Sequence, residues 1–233
     1  MFIPGGFGGY ILIMVVGMLI SGAAALWVRS SYSKFSKQRS ASGLTGQQTA
    51  RMILDRNGLS NVKVEPVAGQ LTDHYDPRSK VIRLSEDNYS GNSIAGVSVA
   101  AHEVGHAIQD AGGYLPMRLR AGIFPVVNFS SQIWPMAFIM AFFVGGAATD
   151  FGSLLINIAI VMFMGVLAFH VVTLPVEINA STRAYGLLTR YGILSGTEAA
   201  GTRRVLTAAA FTYIAAALTA VLTFLYLLAA SRQ

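Results

Sequence analysis

The stretch FGSLLINIAIVMFMGVLAFHVVTLPVEINAS, residues 151–181, decides the fold. From Phe151 to Val176 it holds no Asp, Glu, Lys or Arg, and Glu177 follows at once. A hydrocarbon layer of about 30 Å needs roughly 20 apolar residues in helical form. Residues 153–174 supply them. Lipid cannot satisfy open backbone groups, so the span has to be a helix. Three other stretches are equally free of charge: Met1 to Val28, Ala121 to Thr149 and Val205 to Ser231. They predict transmembrane helices near 9–28, 124–147 and 206–229.

Composition agrees. The chain has 233 residues, of which 53% are hydrophobic and 12% charged. Soluble domains carry about 25% charged residues. Disorder is excluded, because it needs low hydrophobicity and high charge. Cysteine is absent, which removes disulfides, thiolate metal sites and cysteine nucleophiles. The first span is not a cleaved signal peptide, since its basic residues (Arg29, Lys34, Lys37, Arg39) come after it.

Of the 17 basic residues, all but Arg232 fall within 29–123 or 177–204. Four spans put those two segments on one side. The positive-inside rule makes that side cytoplasmic and both termini outside. The net charge of +6 is then an orientation signal. It predicts contact with the lipid bilayer and no nucleic-acid partner.

The 29–123 segment reads as a small folded domain. Ser30 to Gly43 is a basic, serine-rich arm suited to anionic headgroups. Thr45 caps a helix that runs to Asn57. Val62 to Val67 reads as a strand. Leu71–Tyr75 and Lys80–Leu84 flank Asp76-Pro77-Arg78-Ser79 and predict a β-hairpin with a type I turn. Ser85 to Asn88 reads as a polar break. Ser93 to Asp110 predicts a helix ended by Gly112 and Gly113.

That last helix contains His102-Glu103-Val104-Gly105-His106. Two histidines four apart share one helical face and can bind one zinc ion. Zinc lowers the pKa of a bound water to about 7. Glu103 beside it can take that proton and pass it to a leaving amine. Flanking Val97, Ala100, Ala101, Val104, Ala107 and Ile108 predict a buried helix.

Such a site needs a third protein ligand. A histidine at 112 would complete one known spacing, but that position is Gly112. Asp110 is turned away on the same helix, Asp150 falls on the far side of the membrane, and Glu198 reads as the N-cap of the next helix. Glu177 remains, just past Pro175, a residue suited to a first helical turn. Val176 to Tyr191 continues as a helix ended by Gly192. Ala180, Ser181 and Ala184 share a face with Glu177 there. The other use for Glu177 is an ion pair with Arg118 or Arg120.

Leu71-Thr72-Asp73-His74-Tyr75-Asp76-Pro77, Val81-Ile82-Arg83-Leu84-Ser85, Ala100 to Gln109 and Leu174-Pro175-Val176-Glu177-Ile178-Asn179-Ala180-Ser181 resemble the YugP-like bacterial membrane zinc metallopeptidases. The resemblance covers nearly the whole chain. It implies a zinc-dependent peptidase in a bacterial plasma membrane and does not name a substrate. The Glu-x-x-Ala-Ser step is also similar to the Glu-x-x-Ala-Asp of other membrane zinc endopeptidases, where the glutamate is a ligand. Here Ser181 stands in the place of that aspartate.

The expected protein is therefore a membrane α-helical chain with four transmembrane helices and a small α+β zincin-like cytoplasmic domain. Its segments are a first transmembrane helix (1–28), the domain with the HExxH helix (29–123), a transmembrane hairpin (124–174), a cytoplasmic helix with the third ligand (175–204) and a last transmembrane helix (205–233). The expected activity is a metalloendopeptidase at the cytoplasmic membrane face. His102, His106 and Glu177 bind Zn2+, and Glu103 is the general base. His74, Tyr75 or Arg183 holds the transition-state oxygen. Ser181, Asn179 and His170 are candidate partners of the ligands. Substrates are peptides or membrane proteins. The sequence leaves open an oligomer or a regulatory membrane partner. The rival is a non-enzymatic adaptor or chaperone with a structural zinc closed by His74 or Asp73. A transporter fits poorly, because the motif lies outside the spans.

Overall fold

A computed structural model describes residues 6–232. Residues 1–5 of the first transmembrane segment and Gln233 fall outside the described residues. The elements run α1 (Gly6–Phe35), α2 (Gly46–Arg56), β1 (Lys63–Val67), β2 (His74–Asp76), β3 (Val81–Ser85), α3 (Glu86–Ser90), α4 (Ile94–Ala111), α5 (Leu115–Phe143), α6 (Asp150–Arg190) and α7 (Ala199–Ala230). A short 3-10 turn, Gly146–Ala148, joins α5 to α6. Four of these helices, α1, α5, α6 and α7, are long and apolar enough to cross a membrane.

The chain forms two compact units. One comprises residues up to 24, 119–174 and from 212 on. Its centre is built from Phe138, Ile156, Ala159, Phe163, Tyr226 and Leu227. Phe138 meets Tyr10 and Tyr226 at ring centroids 5.4 and 5.8 Å away. Gly17 lies against the Thr219 side chain, a close approach that a Cβ would obstruct. Outward, apolar side chains are left uncovered: Met18 and Leu19 are 68% and 67% exposed. A wide exposed apolar surface without charge is the surface lipid requires.

The other unit comprises residues 25–118 and 175–211. Helix α4 lies at its centre. Ser93 caps it by accepting from the Gly96 N–H, and Gly112 and the left-handed Gly113 (φ 63°) end it. Val97, Ala100, Ala101, Val104 and Ala107 are all buried and join Ala50, Ile53 and Leu54 of α2 in one core. Helix α2 opens with the predicted Thr45 cap, and Gln48 completes a reciprocal capping box.

The sheet has the order β1-β3-β2. β2 and β3 form the predicted antiparallel pair, with Tyr75 opposite Ile82. Asp76 holds the turn by accepting from the Arg78 N–H and the Ser79 hydroxyl. β1 pairs parallel to β3 on the other side, with Val64 opposite Ile82. Pro66 is tolerated in β1 because an edge strand has a side without partners.

Several elements differ from expectation. Helix α1 runs on to Phe35, through the first residues of the expected arm, β2 is confined to His74–Asp76, and α7 begins at Ala199, seven residues before the predicted span. The polar break at 85–88 contains the start of a one-turn helix, α3, with Glu86 and Asp87 at its favourable end. Helix α5 starts at Leu115, nine residues before the predicted span, and passes through Pro125 and Pro135. Helix α6 runs unbroken for 41 residues through Pro175, where a new helical start was expected. Proline costs one backbone hydrogen bond. The completely buried Val176, Ala180, Ala184 and Leu188 continue one helical stripe beyond it, and their packing keeps the helix intact.

Candidate metal centre

His102 and His106 stand one turn apart on α4, their rings edge to face at 4.7 Å. Opposite them, beyond the apolar run of α6, is Glu177. Its Oε2 lies 3.4 Å from His102 Nε2 and 3.5 Å from His106 Nε2. Among the described residues, these three form a group whose ligand atoms all fall within 4.8 Å of one another. Zinc bonds of about 2.0–2.1 Å at tetrahedral angles place neighbouring ligand atoms about 3.4 Å apart. The observed separations fit that ion.

The backs of the rings are also held. His102 Nδ1 is 3.2 Å from the Ser181 hydroxyl. His106 Nδ1 is 3.0 Å from Gln109 Oε1. A metal-binding histidine characteristically commits its second nitrogen in this way.

Close packing brings α6 to the motif. Gly105 touches the backbone of Ala180, and the absence of a side chain permits that approach. Gln109 spans the two helices, donating to the Val176 carbonyl at 2.7 Å and to Asn179 Oδ1 at 3.0 Å. Arg183 Nε donates to the same Asn179 oxygen at 2.7 Å.

Charge and burial set the electrostatics. Glu103 and Glu177 are 7% and 2% exposed. Burial alone would raise the Glu177 carboxyl, but the two histidines outweigh it and hold the group well below the usual carboxylate range. Burial would lower His106. Glu177, the Glu103 charge and Gln109 oppose it, and the net direction is up. His102, His106 and Glu177 thus bring two imidazoles and one carboxylate together, a donor set suited to a divalent cation.

The remaining candidates are distributed as follows. His74 is exposed, with Nδ1 2.8 Å from the Thr72 carbonyl. Tyr75 is buried and donates to Asp110 at 2.7 Å, and Lys80 pairs with the same carboxylate. Burial and that acid push the Tyr75 phenol up. Asp73 accepts from the Ser85 N–H, the Ser85 hydroxyl and the Asn88 amide. Glu198 accepts from the N–H groups of Ser195 and Ala41, both at 2.7 Å. His170 lies in the other unit, half-buried, its ring 5.9 Å from that of Phe169. In the sequence Gln109 stands out only as the last residue of the Ala100 to Gln109 stretch. Its place at i+3 from His106 was the available signal.

Fold and centre together define a membrane protein with a His-His-Glu cluster in which His106 and Glu177 are buried. A family model described as "Putative neutral zinc metallopeptidase" matches residues 10–232, and the chain belongs to that family. A relative, "Putative membrane protease YugP" of Bacillus subtilis (strain 168), is 48% identical over 210 residues, covering 90% of each chain. No solved structure matches.

Proposed function

We propose that the protein is a membrane-bound zinc endopeptidase of the zincin type, with His102, His106 and Glu177 as ligands. The observation that carries this is the three-member donor set. Three protein ligands leave a position for water or substrate, as catalytic zinc sites do, whereas structural sites use four. The side chains that would close a structural site are engaged elsewhere: Asp73 with Ser85 and Asn88, His74 in the exposed hairpin. That weighs against the adaptor or chaperone.

Zinc, when bound, supplies a Lewis acid that polarises the scissile carbonyl and activates water. Glu103 accepts a proton from the attacking water on its carboxylate and returns it to the leaving nitrogen. Its burial keeps the carboxylate from being screened by bulk water. Ser181 and Gln109 hold the two imidazoles in their binding orientation. Tyr75 spends its hydroxyl on Asp110, which leaves His74 as the freer of the two hairpin candidates for the transition-state oxygen.

The charge distribution supports a cytoplasmic site, with both termini outside. Glu177 follows a charge-free run of α6 within three residues of its end, so the substrates proposed are membrane proteins or their membrane-proximal tails. Zinc analysis of purified wild type and Glu177→Ala tests the ligand set. Wild type is expected to hold one zinc per chain and the variant to lose it. Full zinc retention by Glu177→Ala would refute the assignment.

A further inference from the structure

We infer that Gln109 is a positioning residue that sets the tautomer of His106, and that its own orientation is dictated from α6. Donors and acceptors leave one arrangement. The Val176 carbonyl can only accept, and Gln109 faces it at 2.7 Å. Arg183 Nε can only donate, so the Asn179 atom it reaches at 2.7 Å is the amide oxygen. Gln109 meets that same oxygen at 3.0 Å. Two acceptors therefore face one end of the Gln109 amide, and that end must be the NH2 group. Its oxygen is left facing His106 Nδ1 at 3.0 Å.

The consequence falls on the ring. An amide oxygen is an acceptor only, so Nδ1 of His106 carries the proton. Nε2 is then left to offer its lone pair to a cation held between it and Glu177, 3.5 Å away. Reversing the Gln109 amide would set oxygen against oxygen at both Val176 and Asn179. At a residue only 1% exposed no water is at hand to repair that.

His102 is treated differently. Its Nδ1 meets the Ser181 hydroxyl, which can rotate and either donate or accept. The two histidines are thus not equivalent: His106 is fixed in advance, and His102 adapts. Because Val176 immediately precedes Glu177, the same amide also ties the third member of the cluster to α4.

The inference rests on the metal site proposed above. Histidine nitrogen NMR on the full-length, zinc-loaded protein should show His106 protonated at Nδ1 and metal-bound through Nε2. Protonation at Nε2 would overturn the inference. Chelator competition then compares two variants. Gln109→Met removes the acceptor and should weaken zinc about 10- to 100-fold. Gln109→Glu keeps an acceptor toward His106 while losing both donors to α6. It should hold zinc more tightly than Gln109→Met but melt at lower temperature than wild type. Equal zinc loss in both variants would make Gln109 a helix tie only, and wild-type zinc affinity in Gln109→Met would overturn the inference outright. If Gln109→Met does not fold, the His106 signal of Gln109→Glu decides. No zinc binding by wild type would instead refute the proposed function, and this inference with it.

Discussion

Gly105 of α4 packs directly on the backbone of Ala180 in α6. A Cβ on Gly105 would stand 2.7 Å from the Ala180 carbonyl oxygen and 3.1 Å from its Cα. Glu177 lies three residues before Ala180, so this contact sets how closely its carboxylate approaches the two histidines. The glycine inside the His-Glu-x-x-His run is a spacing device between helices.

Gly105→Ala should therefore force the helices apart. The strain is expected to cost about 1–3 kcal/mol, and zinc affinity should fall with it because Glu177 retreats. Gly186→Ala is the control: it lies in α6 with open space where a Cβ would stand, and alanine in a helix is expected to be neutral or stabilising by about 0.5–1 kcal/mol. Thermal unfolding and chelator competition on both variants check the pair.

Ser181 sits behind His102 as Gln109 sits behind His106. Ser181→Ala removes the 3.2 Å contact to His102 Nδ1 without adding bulk. Zinc affinity should drop by about tenfold, the lower end of the range for such partners, because a serine hydroxyl constrains the ring less than an amide. Metal titration of the variant reads this directly.

Tyr75 was a candidate to hold the transition-state oxygen, but its hydroxyl is committed to Asp110. Tyr75→Phe should lower stability by about 0.5–1.5 kcal/mol and leave kcat for peptide hydrolysis near wild type. Asp110 retains its pairing with Lys80 in that variant. A large fall in kcat with unchanged stability would return Tyr75 to the reaction.

Glu198 predicts a pH dependence away from the metal. Burial opposes its charge, yet the backbone N–H groups of Ser195 and Ala41 hold its carboxyl below the ordinary value. A lowered folded-state value means stabilisation that is full above the unfolded value and is lost as pH falls through the folded one. Glu198→Gln should be less stable than wild type by about 1–2 kcal/mol near neutral pH, and the gap should close in acid. Melting curves from about pH 7 to about pH 3 follow it.

The four spans were legible because lipid excludes charge, and charge is visible in a sequence. His102 and His106 were legible because a helix repeats every 3.6 residues. Glu177 could be reached from the sequence because it opens the polar stretch after a long apolar one. The continuity of α6 through Pro175 was not legible. It depends on Val176, Ala180, Ala184 and Leu188 being buried together, a property of packing. The β1–β3 pairing and the Gln109 bridge were hidden for the same reason. Each joins residues distant in sequence, and neither leaves a periodic trace.

In the proposed mechanism Glu103 moves a proton at a zinc site it does not itself hold together. The most direct measurement is hydrolysis of a peptide substrate by wild type and Glu103→Gln, with bound zinc determined in the same preparations. Zinc should remain at one per chain in both, and hydrolysis should fall at least about 100-fold in the variant. Cleavage by Glu103→Gln at the wild-type rate would contradict the account.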